Sequence, residues 1–384
     1  MCYTILMSQT LTRTVCVKLD VADHAPALAA TQAAFNDAAT WIATVCWDEG
    51  VTNTNTAHHR VYGETRARFG LGAQLACCAR AKAVEAIKAG RAKASPTCPS
   101  FGPRGGVRYD ARTYRLMALE RVSLNTTSGR VVCRMLPGNR QRAMLADPDW
   151  QAGGADLAWR DGTYFLHIAQ GREAPATDGG GGVLGVDMGQ VQLAVDSEGE
   201  SFSGGKVKGV RHRYARRRAA LQAVGTKSAR RRLRQIKRKE SRFQRDANHR
   251  ISKRIVVKAA GSRKALALED LTGIRERVTV RRDQRAYRMS WAFAQLRAQI
   301  EYKAAFVGVP VVLVDARNTS RTCSVCRHCE KANRHGQSSF LCRSCGFAAN
   351  ADFNAAVNIA YRGAVNHPMV PSAPCGRRGA SLVL

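Results

Sequence analysis

The sequence has 384 residues, enough for roughly two or three domains, and its 45% hydrophobic content is ordinary for a folded protein, which argues against wholesale disorder. Its charge is unusual, because 61 Lys and Arg against 29 Asp and Glu give a formal net charge of +32. Such an excess destabilises a compact state by self-repulsion unless a polyanion neutralises it. The composition therefore favours nucleic acid as a partner over a merely soluble basic surface.

The first residues and the cysteines indicate the compartment. The opening MCYTILMSQTLTRTVCV has neither a basic leader nor a long apolar core, so we expect no signal peptide. No stretch approaches the roughly 18 unbroken apolar residues of a membrane span. The 13 cysteines, without an export signal, are typical of a reducing compartment. We therefore expect a cytoplasmic protein, associated with the nucleoid if the cell is prokaryotic.

The first half of the chain, residues 1–175, predicts a small β-barrel recognition domain with a helical insertion. Residues 12–21 alternate like a strand, and an alanine-rich helical pattern runs from about 25 to 95. Residues 98–172 are typical of short strands joined by Thr-Ser-Gly and Arg-Asp-Gly turns. The segment 176–183, ATDGGGGV, predicts a flexible glycine linker to a second domain.

The second half predicts an α/β domain. Its buried-type strands are expected at 183–189, 264–271 and 309–316, with a hairpin turning at Glu198-Gly199. Its helices are expected at about 208–260, 286–306 and 350–361. Without the cysteine-rich insertion at 320–348, the order is three strands, helix, strand, helix, strand, helix. That order is typical of an RNase H-like fold, here 184–319 with 349–362, and the tail 363–384 is expected to be disordered.

Residues 206–260 form a strongly basic helical region. In its second piece, apolar residues from Leu233 to Ile255 recur at three- to four-residue multiples, which predicts an amphipathic helix with one buried stripe. A charge run is usually only a solvated face, but Glu240 and Asp246 are nearly the only acids here, so a phosphate-contacting face is favoured. The candidate nucleic-acid contacts are Arg216, Arg217, Arg230, Arg231, Arg234, Lys237, Arg238, Arg242, Arg245 and His249. His249 could equally be structural.

Two C-x2-C pairs predict a zinc site. The candidate ligands are Cys323, Cys326, Cys342 and Cys345, and the alternatives nearby are His328, Cys329 and His335. Four thiolates give a closed tetrahedral site that supports structure and leaves no open position for catalysis. Gly346 follows the second pair and permits a tight turn under sulfur, whereas Arg327 stands where the first pair would be expected to have a glycine.

Three acidic residues are candidates for a catalytic centre. Asp187 and Glu269 end buried-type strands, and Asp352 lies in the first turn of the last helix. Each has an ordinary alternative, such as a turn at Gly189 for Asp187 or helix capping for Asp352, and Asp270 competes with Glu269. An RNase H-like order would nevertheless bring the three together. Converging carboxylates require cations, and two Mg²⁺ ions about 4 Å apart would suit phosphodiester hydrolysis.

Five segments resemble the signature segments of the TnpB family, transposon-associated OrfB-type proteins similar to compact type V CRISPR effectors. They are GVDMGQVQLAVDSEGE, NHRISKRIV, LALEDLTGI, NTSRTCSVC and CRSCGFAANADFNAAVNIA, all within residues 183–362. The resemblance implies a RuvC-like nuclease with Asp187, Glu269 and Asp352 as its magnesium-binding triad and with a zinc ribbon at 320–348. It also implies a guide RNA and a double-stranded DNA target as partners.

The leading hypothesis is therefore an RNA-guided DNA endonuclease associated with a transposable element. One alternative is an RNA-guided DNA-binding protein without nuclease activity, which the presence of all three acids disfavours. Another is a transposase or junction resolvase that works on the same fold and metals without a guide.

Overall fold

The structure is a computed structural model that describes residues 10–270 and 293–366. Contacts divide the chain after Glu173 into two compact units. The beginning of the helix predicted at 286–306 and most of the predicted tail, from 367 onward, lie outside the described residues. No helix in the described part of the chain is both long and apolar enough to cross a membrane.

The first unit contains one antiparallel sheet. Its strands are β1 (Thr10–Asp20), β2 (Val107–Tyr109), β3 (Tyr114–Ala118), β4 (Arg121–Thr126), β5 (Gly129–Leu136), β6 (Gln151–Arg160) and β7 (Thr163–Glu173), in the order β2-β6-β7-β1-β5-β4-β3. The β6–β7 hairpin turns at Asp161 and Gly162, which both have positive φ, so this Arg-Asp-Gly turn forms where the sequence predicted it.

Helices between β1 and β2 complete the core of this unit. The helices are α1 (Ala25–Asp48), α2 (Thr54–Phe69) and α3 (Ala73–Arg91), and α4 (Asn139–Ala146) follows β5. One face of α1, including Phe35 and Ile42, packs in the same buried cluster as Leu166 and Tyr109 from the sheet. The insertion predicted as one helical region is therefore three helices, with Asn53 capping the start of α2.

The second unit is built on a mixed sheet. Its strands are β8 (Val183–Asp187), β9 (Gln192–Asp196), β10 (Ser201–Ser203), β11 (Ala265–Asp270) and β12 (Val311–Asp315), in the order β10-β9-β8-β11-β12. Strands β10, β9 and β8 pair antiparallel, whereas β8, β11 and β12 pair parallel. The carboxyl ends of β8, β11 and β12 therefore meet at one edge of the sheet.

Within 174–270 and 293–366, four helices accompany this sheet. They are α5 (Gly205–Val224), α6 (Lys227–Gly261), α7 (Phe293–Phe306) and α8 (Ala351–Asn366). The basic region predicted as one helical stretch is two helices, because Gly225 takes φ +67° and the Thr226 hydroxyl caps the start of α6. Helix α8 continues through 363–366, which the sequence assigned to a disordered tail, because Gly363 packs against Ala267 and Val183 of the sheet.

The glycine segment before β8 is held by backbone contacts. The Gly181 N–H donates to the Arg263 carbonyl at 2.8 Å, and the Ala265 N–H donates to the Gly182 carbonyl at 2.9 Å. A Cβ on Gly181 would lie 2.4 Å from the Ser262 carbonyl oxygen. The sequence interpretation took these glycines as a source of flexibility, whereas the structure uses them for close approach of two backbones.

Helix α8 lies directly on the backbone of β8. A Cβ built on Gly185 would stand 2.2 Å from the Ala356 carbonyl oxygen and 2.4 Å from the Ala360 nitrogen. No real side chain tolerates such contacts, so only glycine at 185 lets the helix reach this distance from the sheet.

We expect Gly185→Ala to force α8 away from the sheet and to cost about 1–3 kcal/mol of unfolding free energy, as overpacking in a rigid core does. Gly209→Ala is the matched control, because a Cβ there meets nothing within 4 Å. Differential scanning calorimetry of both variants measures the effect. A melting temperature of Gly185→Ala equal to that of the control would contradict the close packing.

Candidate functional site

The four cysteines of the two C-x2-C pairs lie together. Their sulfur atoms are all within 4.8 Å of one another, and two of the separations are 3.7 Å, Cys323 to Cys345, and 3.5 Å, Cys326 to Cys342. Sulfurs at the corners of a tetrahedron around zinc, each about 2.3 Å from the metal, would be about 3.8 Å apart. The donor set and its geometry therefore fit zinc. The alternatives His328, Cys329 and His335 do not belong to the set.

The local environment also favours a thiolate. Burial raises the pKa of the Cys342 thiol, but hydrogen bonds from the backbone N–H groups of Cys345 and Ser344 and from neighbouring thiols outweigh it, so that the pKa falls to about 6. A thiolate is the form that binds zinc, so the backbone around Cys342 favours metal binding. The pKa of Cys345 is lowered by the backbone N–H of Phe347 but raised more by neighbouring thiols and burial, to about 12.

The two pairs have the same backbone turn. The Arg327 N–H donates to the Cys323 carbonyl at 3.1 Å, and the Gly346 N–H donates to the Cys342 carbonyl at 3.0 Å. Both Arg327 and Gly346 have left-handed backbones, with φ of +65° and +72°. The arginine that departs from the expected glycine therefore takes the glycine's conformation, which is unfavourable for a residue with a Cβ.

The Arg327 side chain makes contacts that a glycine could not. Its Nη1 donates to the Asn358 Oδ1 at 2.9 Å, and its guanidinium lies over the Tyr361 ring at 3.7 Å from the centroid. Both partners are on α8. The first cysteine pair is thus attached to α8 by a charge-assisted hydrogen bond and a cation–π contact, which offset the cost of the left-handed backbone.

Replacing Arg327 should separate these two contributions. We expect Arg327→Ala to be less stable than Arg327→Gly by about 1 kcal/mol, because both lose the side-chain contacts and only glycine relieves the backbone. Thermal unfolding of the zinc-loaded protein and the rate of zinc loss to a chelator measure the difference, with the exposed Arg343→Ala as control. An alanine variant at least as stable as the glycine variant would contradict this account.

The three predicted acids converge at the carboxyl edge of the mixed sheet. Asp187 is the last residue of β8, Glu269 is next to last in β11, and Asp352 is in the first turn of α8. Burial and the charges of Glu269 and Asp352 raise the pKa of Asp187 to about 8. Burial is also the largest cause of the raised pKa values of Glu269 and Asp352, each of which is 7% exposed.

The acids do not form a compact cage for a single ion. Within residues 10–270 and 293–366, one group of three or more Cys, His, Asp or Glu side chains has all its possible ligand atoms within 4.8 Å of one another. That group is the four cysteines and does not include the acids. Oxygen ligands of one Mg²⁺, each about 2.1 Å from the ion, must lie closer together than that. The three carboxylates therefore do not meet as closely as the four thiols do. Asp270, the competitor of Glu269, pairs instead with Arg297 at 2.8 Å.

Sequence reasoning missed a cation in this site. The Arg334 Nη2 lies 3.6 Å from the Asp352 Oδ1, and its charge lowers the pKa of Asp187, Glu269 and Asp352 against the larger effect of burial. The residue follows the short 3-10 turn Lys331–Asn333 of the cysteine-rich segment, before the small hairpin of β13 (Ser339–Leu341) and β14 (Ala348–Asn350). In so basic a chain, no sequence signal distinguished this arginine from the others.

The predicted basic contacts lie on the outer faces of α5 and α6. Their exposed members are Arg216, Arg217, Arg230, Arg231, Arg234, Lys237, Arg238, Arg242 and Arg245. The opposite stripe of α6 is buried and includes Ile236, Ile251 and Ile255, which confirms the amphipathic pattern. His249 differs from the others, because its Nδ1 is 3.3 Å from the Tyr302 hydroxyl and its carbonyl accepts from Lys303. The structure therefore gives His249 a packing role between α6 and α7.

The raised pKa of Asp187 makes a prediction about stability. Its folded value of about 8 exceeds the ordinary 3.8, so between about pH 4 and pH 8 the folded protein holds a proton that the unfolded chain releases. Stability must therefore fall as pH rises through this range. Without Mg²⁺, we expect Asp187→Asn to melt several degrees above the parent at pH 8 and close to it near pH 4.

Calorimetry at a series of pH values checks this expectation. Added Mg²⁺ should reduce the difference at pH 8, because cations stabilise the ionised carboxylates. Asp270→Asn is the control, since it removes a half-exposed ion pair with Arg297 and should have a small effect that does not grow with pH. A difference between Asp187→Asn and the parent that stayed constant with pH would contradict the prediction.

Comparison with known proteins finds two family models that match parts of the chain. Residues 167–271 match the OrfB family model described as "Probable transposase", and residues 293–359 match the model of the Cas12f1-like TNB domain. Together the two models cover less than half of the chain, and over these segments the chain resembles the TnpB family. The two matched segments contain all three acids and all four cysteines.

Curated relatives are similar to part of the chain, and one solved structure has a similar fold. The CRISPR-associated endodeoxyribonuclease Cas12f1 of Sulfoacidibacillus thermotolerans is 31% identical over 46% of this chain and 45% of its own length. A TnpB-like protein of Methanocaldococcus jannaschii is 34% identical over 32% of this chain and 43% of its own length. The matches therefore span less than half of these relatives. The Cas12f1 chain in a complex with sgRNA and target DNA shares the fold, with a TM-score of 0.64 at 15% identity over 87% of this chain and 82% of that one.

Proposed function

We propose that the chain is an RNA-guided DNA endonuclease associated with a transposable element. The observation that carries the proposal is the convergence of Asp187, Glu269 and Asp352, on three separate elements, at one edge of the mixed sheet. Matches to the OrfB and Cas12f1-like family models support it, as does similarity to relatives named endodeoxyribonucleases. Guide RNA and double-stranded DNA are the proposed partners, consistent with the sgRNA and target DNA bound to the structural relative.

Each of the two units has its own role in the proposal. The second unit would be a RuvC-like nuclease domain, a proposal supported by its strand order β10-β9-β8-β11-β12 and by the final helix beside Asp352. The seven-stranded sheet of the first unit would close as a β-barrel with wedge-like recognition functions, carrying α1 to α3 as an insertion. The cysteine-rich segment 320–348 would be a zinc ribbon within the nuclease domain.

The acids would hold Mg²⁺, and their residues fit that role. Carboxylate oxygens are the ligands that Mg²⁺ prefers, and three carboxylates from separate elements could be shared between two ions. Such ions would supply an activated water and stabilise the leaving oxygen of the phosphodiester. Burial is the largest cause of the raised pKa of Asp187, and repulsion by Glu269 and Asp352 adds to it.

The protein itself arranges this centre. Asp187 remains partly exposed, so a DNA strand can approach it, while Glu269 and Asp352 are buried beside it. Asp352 lies at the start of α8, where the helix dipole stabilises a carboxylate. Arg334 would offer its guanidinium to the scissile phosphate once metal ions satisfy Asp352.

The exposed arginines of α5 and α6 would contact the phosphates of guide RNA and heteroduplex. Arginine forks bind phosphate oxygens in pairs and need no base sequence, which suits a protein whose target is chosen by base pairing. Zinc would have a structural role only, because four thiolates leave no coordination position for water or substrate.

The decisive test is DNA cleavage by the chain purified with its co-expressed RNA. Sequencing of that RNA identifies the guide, and a plasmid library carrying the matching target reports cutting. We expect Asp187→Ala to reduce Mg²⁺-dependent cleavage by at least about 10³-fold while guide RNA is retained. Asp270→Ala, whose carboxylate pairs with Arg297, is the matched control and should cut like the parent.

The same experiment distinguishes the alternatives. A target that is bound by the parent chain but never cut would indicate an RNA-guided binding protein. Cleavage of a four-way junction without RNA would indicate a guide-free transposase or resolvase. Full cleavage by Asp187→Ala would contradict the proposed catalytic centre.

A further inference from the structure

We propose that Thr319 and Asn358 are positioning residues that couple the cysteine cage to the carboxylate of Glu269. The cage is the set Cys323, Cys326, Cys342 and Cys345. The inference rests on the proposed nuclease function, since it concerns the orientation of one of the proposed metal ligands. Thr319 and Asn358 are buried polar side chains, and neither would bind zinc or Mg²⁺ directly.

The Thr319 hydroxyl fixes one oxygen of Glu269. Its Oγ1 donates to the Glu269 Oε1 at 2.5 Å, and the two residues are only 3% and 7% exposed. A second acceptor, the Ala316 carbonyl, is 3.1 Å away, but the single hydroxyl hydrogen favours the nearer carboxylate because that bond is charge-assisted. With Oε1 held, the other carboxylate oxygen has a defined direction in which to bind a cation.

Asn358 holds the loop that carries Thr319. Its Nδ2 donates to the Thr319 carbonyl at 2.9 Å and to the Thr322 carbonyl at 2.7 Å. Its Oδ1 accepts from the Arg327 Nη1 at 2.9 Å. Both donor hydrogens and the acceptor of this 2% exposed amide are therefore used, which fixes its orientation.

One helical turn earlier, Asn354 repeats the pattern. Its Nδ2 donates to the Thr322 carbonyl at 2.8 Å, and its Oδ1 accepts from the Ser324 N–H at 2.9 Å. Two asparagines at i and i+4 on α8 thus bind the loop that enters the cage, on the same helix that presents Asp352.

These contacts form a continuous path from the cage to the acids. Arg327 belongs to the first turn of the cage, Asn358 accepts from it, Asn358 holds the Thr319 carbonyl, and Thr319 holds Glu269. If the cage opens, the hydrogen bond from Arg327 to Asn358 is lost. The loop that carries Thr319 and Thr322 is then no longer held at Cys323. The orientation of Glu269 therefore depends on whether the cage is closed, although the cage contributes no ligand to the acid centre.

The test compares Thr319→Val, which keeps the shape but removes the hydroxyl, with Thr319→Ser, which keeps the hydroxyl. Thr322→Val is the matched control, because the Thr322 hydroxyl bonds to the Asn318 carbonyl and leaves Glu269 untouched. Each full-length chain is loaded with zinc, its zinc content is measured, and Mn²⁺ is titrated as a probe of the acid centre by electron paramagnetic resonance. Asp187→Ala defines Mn²⁺ binding elsewhere on the protein.

We expect Thr319→Val to weaken Mn²⁺ binding about tenfold at unchanged zinc content, since Glu269 loses the charge-assisted hydrogen bond that holds one of its oxygens. Thr319→Ser and Thr322→Val should stay within about twofold of the parent. In guided cleavage, Thr319→Val should raise the Mg²⁺ concentration for half-maximal rate by a similar factor without loss of guide RNA. A role limited to folding would lower the melting temperature without changing the Mn²⁺ affinity of the folded protein.

A second variant tests the path from the cage. Arg327→Gly keeps the turn but removes the bond to Asn358, and we expect it to weaken Mn²⁺ binding about threefold while zinc remains bound. Parent-like Mn²⁺ affinity in Thr319→Val would overturn the role of Thr319, and parent-like affinity in Arg327→Gly would overturn the coupling. The Mn²⁺ titration needs neither guide nor DNA. A parent that binds Mn²⁺ yet cuts no guided target would refute the endonuclease proposal and leave the positioning result standing.

Discussion

The acid centre depends on the contact between α8 and the backbone of β8 at Gly185. Glycine at this position lets the Ala356 carbonyl and the Ala360 nitrogen approach to a distance at which a Cβ would clash. The same helix begins with Asp352, and β8 ends with Asp187. Because one short contact fixes the helix on the sheet, it also fixes the separation of two carboxylates that come from opposite ends of the second unit's sequence.

The arrangement is electrostatically expensive without cations. Three acids share an edge of the sheet, two of them buried, and the pKa of each is raised. Arg334 opposes this effect, and Thr319 supplies a hydrogen bond to Glu269. Arg334 and, at Glu269, Arg362 act with a small network of hydrogen bonds to offset part of the cost of burying these carboxylates side by side.

Much of this could be predicted from the sequence because its signals are local. Asp187 and Glu269 end apolar strands, and the paired C-x2-C spacing is specific for a cysteine cage. Arg334, Thr319 and Asn358 had no such signal, because their roles arise from contacts across the fold. The break between α5 and α6 was readable, since Gly225 and Thr226 are a helix end and a helix cap, but the charge pattern on both sides concealed it.

The arginine in the first cysteine turn limits how freely this ribbon could be exchanged between relatives. A donor ribbon with glycine at 327 would fold around its metal with less backbone strain, yet it would arrive without the group that pairs with Asn358 and Tyr361. The buried amide of Asn358 would then be left with an unsatisfied acceptor. A chimera that exchanges the cysteine-rich segment must therefore also replace Asn358 and Tyr361 of α8. The segment and the last helix should be exchanged together.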